Sequence, residues 1–242
     1  PYQAVGLDWL WFCAQAGLGA CLADDMGLGK TVQILAALLR QRESSPSAPP
    51  SLLVVPASLI GNWQREAAHF APSLRLVIVH RSEGSEALTL PGPDQLAATD
   101  LVVTTYGMLT RLVWLGSTTW NWLILDEAQA IKNHSARQSK AVRKLSANAR
   151  FALTGTPVEN RLVDLWALLD WTTPGLLGTL DRFRREIAVP VERDRDPDAA
   201  QTIVVQGVKA GTEPSVVAIG TGGVGSVVIG AYGSVVINTD GT

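Results

Sequence analysis

Residues 23–31 read Ala23-Asp24-Asp25-Met26-Gly27-Leu28-Gly29-Lys30-Thr31, and they lie between a short apolar run and a segment of helical periodicity. A glycine-containing loop at a helix N-terminus points backbone N–H groups at an anion, and the helix dipole adds to the attraction. Lys30 would then reach the β- and γ-phosphates of a nucleotide, and the Thr31 hydroxyl would be a ligand of Mg²⁺. The generic pattern has glycine where Asp24 stands, so an ordinary strand-to-helix turn is the alternative. The order glycine, lysine, threonine favours phosphate binding. The expected nucleotide-binding residues are Asp25, Met26, Gly27, Leu28, Gly29, Lys30 and Thr31.

Two acidic residues directly follow another apolar run, Trp122–Leu125. A buried strand that ends in two carboxylates can hold Mg²⁺ beside a bound nucleotide. Asp126 would anchor the metal, and Glu127 would orient or deprotonate the attacking water. Taken alone, the pair could equally be the solvated start of a helix. Downstream of a phosphate-binding loop, it favours catalysis, with Lys30 and Glu127 as the catalytic residues.

Short runs rich in valine, isoleucine and leucine alternate with helical segments along the chain. Runs that are apolar throughout are typical of strands covered on both faces, as in a parallel sheet. Their alternation with helices predicts an α/β fold. The runs are Ala20–Ala23, Leu52–Val55, Leu76–Val79, Leu101–Thr104, Leu123–Leu125 and Phe151–Leu153. The candidate helices are Thr31–Arg42, Gly61–Phe70 and Ser135–Leu145.

The composition supports a folded protein that has no strongly basic surface. Hydrophobic residues make up 47% of the 242 residues and charged residues 17%, with a net charge of -2, so a sizeable core can be buried. DNA binding would therefore need a local basic face. Cys13 and Cys21 lack the spacing of a zinc site or a disulfide framework, and buried free thiols indicate a reducing, cytoplasmic compartment. No apolar run is long enough to cross a membrane. Pro1 in place of methionine suggests a fragment of a longer protein.

Six motifs in order resemble those of one family. They are Tyr2-Gln3 with Gly6, Trp9 and Leu10; Leu22–Thr31; Val54–Leu59 with Asn62-Trp63 and Glu66; Val103–Tyr106; Asp126–Asn133; and Leu153–Asn160. From Tyr2 to roughly Arg185, the chain resembles the N-terminal RecA-like lobe of the Swi/Snf-type ATPases of helicase superfamily two, closest to their bacterial members. Asp24 is usual in that family, whereas Asp25 replaces a more typical glutamate.

The resemblance implies an ATP-driven motor that translocates along double-stranded DNA and remodels or displaces bound proteins. ATP and Mg²⁺ would be its cofactors, with Gln3 contacting adenine. Contacts with the DNA backbone would come from Ser58, Thr105, Lys132 and Asn133. The candidate helix that starts at Ser135 also carries Arg137, Lys140 and Lys144 on one face. Such a face could grip phosphates, or it could simply be a solvated helix surface.

The segment Thr154-Gly155-Thr156-Pro157 resembles the motif that links nucleotide state to lobe closure. Its hydroxyl groups could hydrogen-bond the acidic box while Gly155 allows tight backbone geometry, although the segment alone could be a plain turn. Gln129 could couple to Thr154 or Thr156, or could be an ordinary polar residue of a helix.

The sequence changes character near Glu192. We predict a RecA-like lobe over residues 1–190, a linker over 191–200 and a β-rich tail over 201–242. In the tail, the segment Gly225–Ile229 recurs as Gly233–Ile237, and short β-branched runs separated by glycine predict a β-meander or a β-repeat. The tail could be native, or it could come from a chimeric or frame-shifted gene.

Nothing in the sequence resembles the second RecA-like lobe, which supplies an arginine finger in the family. Such a finger is worth about 10³-fold or more in related phosphoryl transfers. The expectation is an ATPase lobe that is inactive alone. Two alternatives remain: a fragment that binds ATP without hydrolysing it, and an interaction protein that works through its β-rich tail.

Overall fold

The computed structural model describes residues 2–80, 91–133, 136–158 and 161–194, and the backbone of residues 227–230 and 233–236. Six parallel strands form one sheet in the order β1-β6-β5-β2-β4-β3. Their bounds are β1 Ala20–Leu22, β2 Ser51–Val55, β3 Leu76–Val79, β4 Leu101–Thr105, β5 Thr119–Leu125 and β6 Ser146–Leu153. The prediction of an α/β fold with a mainly parallel sheet is confirmed.

Nine α-helices connect and cover these strands in the described part of the chain. They are α1 Tyr2–Gln15, α2 Lys30–Ser44, α3 Ile60–Phe70, α4 Pro93–Ala97, α5 Tyr106–Leu109, α6 Trp114–Ser117, α7 Arg137–Arg143, α8 Leu162–Thr172 and α9 Leu180–Phe183. Short 3₁₀ turns occupy Ala57–Leu59 and Ala128–Ile131. The third predicted helix is shorter than expected, and its first residue, Ser135, lies outside the described residues.

Alternate residues of each central strand point into different layers. Leu53 and Val55 pack with α1, α2 and α3, whereas Leu52 and Val54 pack with α5, α7 and α8 on the opposite face. All five residues of β2 are buried, as expected for a strand covered by helices on both faces. The three layers account for the continuous apolar runs in the sequence.

The parallel arrangement brings the ends of five strands to one edge of the sheet. The segments that follow β1, β2, β4, β5 and β6 begin at Ala23, Pro56, Tyr106, Asp126 and Thr154. Ligands of open α/β sheets bind outside the carboxyl ends of the strands. Five of the six sequence motifs therefore meet at the edge where a ligand is expected.

Helical structure continues beyond the predicted end of the lobe. Wide helical turns run over Arg184–Ala188 and Pro190–Asp194, so the segment predicted as a linker begins inside a helical region. The Glu192 carboxylate accepts a hydrogen bond from the Leu162 N–H at the start of α8, which ties this region to the lobe. A charged composition suggested a linker here, but the carboxylate serves to satisfy a helix N-terminus.

Two strands of the tail are described. Val227–Gly230 (β7) and Gly233–Val236 (β8) pair in an antiparallel manner, with Val227 opposite Val236. The remainder of 201–242 lies outside the described residues, as does 195–200. The domain boundaries stay a prediction. A search of the described residues finds no helix that could span a membrane.

Candidate nucleotide site

The candidate phosphate-binding loop connects β1 to α2 and depends on two glycines with left-handed backbone angles. Gly27 has φ +84° and Gly29 has φ +77°, a region that residues with a Cβ atom rarely adopt. At Gly29, a Cβ atom would also lie 2.4 Å from the Gln3 Nε2 atom, whereas nothing lies within 4 Å at Gly27. The turn therefore requires glycine at both positions, and at Gly29 for a second reason.

The start of α1 holds the tip of this loop. The Tyr2 hydroxyl donates to the Leu28 carbonyl at 2.8 Å, and the Gln3 amide donates to the same carbonyl at 3.3 Å. Gln3, predicted to contact adenine, thus lies beside the loop. Its role towards adenine stays a prediction.

Asp24, the residue that replaces the generic glycine, is held by a hydrogen bond from α2. Its carboxylate accepts a hydrogen bond from the Gln33 amide at 2.9 Å, and the Gln33 side chain is buried in α2. Gly6 of α1 leaves room for that side chain, because a Cβ atom there would lie 1.9 Å from the Gln33 Oε1 atom. Asp24 therefore fixes the beginning of the loop to α2.

Lys30 is the first residue of α2 and points back into the loop. Its ammonium donates to the carbonyls of Asp24 at 2.6 Å and Asp25 at 3.0 Å. Burial raises the pKa of Asp126, and the positive charge of Lys30 opposes this rise. Thr31 follows in the first turn of the helix, half-buried. The loop lysine and the acidic strand end, 96 positions apart in the chain, both follow strands of the parallel sheet at the same edge.

Asp126 directly follows β5, and its oxygen atoms accept three hydrogen bonds. The Trp63 indole N–H donates to its Oδ2 atom at 2.8 Å, the Glu127 N–H donates to its Oδ1 atom at 3.0 Å, and the Tyr106 hydroxyl donates to its carbonyl at 2.8 Å. Burial raises the pKa of Asp126 above its ordinary value, and it outweighs the lowering by the Trp63 and Glu127 donors and by Lys30. A buried carboxylate of this kind gains from a nearby cation, so its chemistry fits Mg²⁺.

Glu127 has a strained backbone. Its φ of 50° is the single positive value at a non-glycine residue in the described part of the chain. A left-handed residue with a side chain costs roughly 1–2 kcal/mol, and such strain is concentrated at functional sites. The Gln129 amide donates to the Glu127 carboxylate at 2.6 Å. The strained turn and this amide together orient the carboxylate.

A line of hydrogen bonds connects Glu127 to the end of β6. The Thr154 hydroxyl donates to the Gln129 side-chain carbonyl at 3.0 Å, and the Thr156 N–H donates to the Thr154 hydroxyl oxygen at 3.1 Å. The structure thus brings together Gln129, Thr154 and Thr156. Gly155 lies beside the loop, because a Cβ atom there would be 3.3 Å from Met26 Cγ.

The four residues predicted to contact DNA do not share one exposed face. Ser58 and Asn133 are exposed, but Thr105 is buried at the end of β4. The side chain of Lys132 is 9% exposed, and its ammonium donates to the Thr156 carbonyl at 2.9 Å and lies 3.8 Å from the Asp164 carboxylate. In this arrangement internal acceptors hold the Lys132 charge where a phosphate contact was predicted. On α7 and its C-terminal cap, Arg137, Lys140 and Lys144 are exposed.

Sequence reasoning assigned no role to Trp63, Tyr106 or Gln33. Each sits in or next to a quoted motif, and each is a buried side chain with a polar group. A buried indole or phenol usually has a hydrogen-bond partner. The residue types therefore indicated that such bonds exist, but not which partner each side chain has.

A phosphate loop and an acidic strand end at one edge of a parallel sheet characterise the nucleotide-binding lobes of P-loop ATPases. Residues 2–209 match the family described as SNF2-related domain, and the chain belongs to that family.

Several relatives carry names that agree with this family. The chain is 45% identical over 201 residues to the putative ATP-dependent helicase/translocase YwqA of Bacillus subtilis, covering 81% of this chain and 21% of the relative. It is 35% identical over 221 residues to the TATA-binding protein-associated factor MOT1 of Saccharomyces cerevisiae, covering 86% of this chain and 12% of the relative. The chain thus spans about a fifth or less of these relatives.

A solved structure shares the fold. It is the Sulfolobus solfataricus SWI2/SNF2 ATPase core in complex with double-stranded DNA, with a TM-score of 0.69 and 39% sequence identity. The similarity covers 79% of this chain and 39% of that one. The predicted resemblance to a RecA-like lobe of a Swi/Snf-type ATPase is therefore confirmed.

Proposed function

We propose that this chain binds ATP with Mg²⁺ and forms one lobe of a motor that translocates along double-stranded DNA and remodels nucleoprotein. The observation that carries the proposal is that the loop before Lys30 follows β1 and the pair Asp126-Glu127 follows β5, at the same edge of one parallel sheet. A cation on a glycine loop and a carboxylate pair at one sheet edge are the groups that a nucleotide phosphate and its metal require.

In the proposed mechanism, the loop amides from Asp25 to Gly29 cradle the phosphates, and Lys30 exchanges its two carbonyl partners for phosphate oxygens. The Thr31 hydroxyl and the Asp126 carboxylate would hold Mg²⁺, which neutralises developing phosphate charge when bound. Gln3, whose amide hydrogen-bonds the loop tip, would contact the base.

Glu127 would orient the attacking water and take its proton. Its carboxylate is already held by Gln129, so a change at the nucleotide can be transmitted through Thr154 to Thr156. We infer that this line of hydrogen bonds couples the catalytic carboxylate to movement of a second lobe. Lys132 supports the far end of the line through the Thr156 carbonyl.

DNA would bind through phosphate contacts from exposed residues. The relative solved with double-stranded DNA supports this class of partner. Ser58, Asn133, Arg137, Lys140 and Lys144 are exposed and offer polar or positive groups. Thr105 and Lys132 would then shape the surface from within, because both are largely buried. Contacts of this kind do not read base sequence and weaken steeply with salt.

One lobe provides one wall of the nucleotide site, so a second RecA-like lobe would have to complete it. We therefore expect this polypeptide to bind ATP but to hydrolyse it no faster than background, with or without duplex DNA. Phosphate release at saturating ATP, with the Lys30→Ala protein as the blank, tests this. A rate above the blank that rises with DNA would contradict the need for a second lobe.

A further inference from the structure

We propose that Trp63 is a positioning residue for the metal: its indole N–H fixes the Asp126 carboxylate in the orientation that receives Mg²⁺. This inference rests on the proposed role of Asp126 in holding the metal. It adds a residue from α3, 63 positions away from Asp126 in the chain, to the machinery of the nucleotide site.

Trp63 is an unusual member of the core. It is 1% exposed and packs among apolar residues in the layer formed by α1, α2 and α3. A phenylalanine could fill most of such a space, so packing alone does not require an indole N–H. In Trp120, another buried indole, the N–H donates to a backbone carbonyl, that of Leu115, at 3.0 Å. In Trp63 it donates to a carboxylate of the candidate site at 2.8 Å.

The Asp126 carboxylate is held at both oxygens. Trp63 occupies one lone pair of Oδ2, and the Glu127 N–H occupies one lone pair of Oδ1. Each oxygen keeps a further lone pair for a metal or its water. The two donors therefore fix the plane of the carboxylate without consuming its capacity to bind.

The main chain of Asp126 is fixed from the opposite face of the sheet. Tyr106, 5% exposed and packed in the other layer of the core, donates its hydroxyl to the Asp126 carbonyl at 2.8 Å. Trp63 and Tyr106 thus hold the same residue from the two layers, one through the side chain and one through the backbone. Neither side chain is free to move without disturbing its layer.

Hydrogen bonds around a metal ligand set its orientation, and their loss typically costs about 10- to 100-fold in metal affinity. Without the indole, the Oδ2 atom is left buried with one partner fewer, and the carboxylate can rotate. We therefore expect Trp63→Phe to reduce the gain in ATP affinity that Mg²⁺ provides by about 10-fold. The affinity for ATP in the presence of EDTA should stay unchanged, because Lys30 and the loop amides are untouched.

The experiment measures binding of a fluorescent ATP analogue to the whole chain, with Mg²⁺ and with EDTA, for wild type and variants. Trp120→Phe is the matched control, because it also removes a buried indole hydrogen bond from the core but lies away from the site. Thermal unfolding of both variants measures the structural cost. The proposal predicts that only Trp63→Phe lowers the Mg²⁺-dependent gain.

Asp126→Asn separates this proposal from the proposed function. If Asp126→Asn abolishes the gain and Trp63→Phe leaves it intact, the positioning role is wrong and the metal assignment stands. If wild type shows no gain, or Asp126→Asn keeps it, the metal assignment fails and the positioning role falls with it. Should Trp63→Phe not fold, Trp63→Met decides, because it also removes the N–H donor while a flexible side chain fills the space: a reduced gain supports the positioning role, and an unchanged gain overturns it.

Discussion

Alanine at Gly29 tests how the loop is built. The substitution places a Cβ atom at φ +77°, which costs roughly 1–2 kcal/mol in a left-handed conformation. It also brings that atom to 2.4 Å from the Gln3 Nε2 atom. The end of a glutamine side chain can move aside, so the added cost is the loss of its 3.3 Å hydrogen bond to Leu28, about 0.5–1 kcal/mol.

The matched control is Gly27→Ala, which has a similar φ of +84° and open space around the added atom. We expect Gly27→Ala to lower the free energy of unfolding by about 1–2 kcal/mol and Gly29→Ala to lower it by about 0.5–1 kcal/mol more. For a chain of this size, each kcal/mol corresponds to about 2–4 °C in Tm. Urea unfolding without nucleotide measures both values.

A double-mutant cycle isolates the contact. In a Gln3→Ala background, the difference between the two glycine substitutions should vanish, because no side chain remains for the new Cβ atom to displace. The reasoning is refuted if Gly29→Ala and Gly27→Ala cost the same in wild type, or if the difference survives without Gln3.

Two further predictions concern the acidic pair. In a protein with both lobes, Glu127→Gln should keep ATP binding and lose most turnover, because the side chain keeps its shape but no longer accepts a proton. Equilibrium ATP binding and single-turnover kinetics measure the two effects. Turnover at the wild-type rate would exclude Glu127 as the catalytic carboxylate. Burial raises the pKa of Asp126 in the folded state, so wild type should lose stability as the pH rises from the ordinary pKa of an aspartate through the raised one, and Asp126→Asn should lack this part of the pH dependence of Tm. The difference in Tm between Asp126→Asn and wild type should therefore move in favour of the variant across that window and stay constant below it; a difference that is independent of pH would contradict this cause.

The parts of the fold that follow from local sequence were predictable. The runs at Leu52–Val55 and Leu76–Val79 became β2 and β3 within a residue of the predicted bounds, because apolar strands in a parallel sheet carry their signal in every residue. The loop before α2 was readable because glycine, lysine and threonine have position-specific tasks there.

Contacts between distant segments were not predictable from the sequence. The sequence around Lys132 does not indicate that Thr156 and Asp164 hold its ammonium, so its motif position alone suggested contact with the DNA backbone. Likewise, Trp63 and Asp126 meet only because β2 and β5 are neighbours in the sheet. The left-handed turn at Glu127 could not be foreseen either, since a glutamate favours other backbone angles.

The hydrogen bonds of Gln129 were predictable from the sequence only in part. The sequence offered Thr154 and Thr156 as possible partners of Gln129, and the structure selects the Thr154 hydroxyl as the direct contact. The choice depends on β5 and β6 lying side by side, which fixes the distance between their carboxyl ends.

In the proposed function, the loop before α2 binds the phosphates of ATP through Lys30. The most direct measurement is the affinity for ATP with Mg²⁺ of wild type, of Lys30→Ala and of Lys144→Ala, an exposed lysine outside the candidate site. We expect Lys30→Ala to abolish measurable binding in a folded protein, whereas Lys144→Ala should bind as wild type does. Equal affinity in wild type and Lys30→Ala, with both proteins folded, would contradict it.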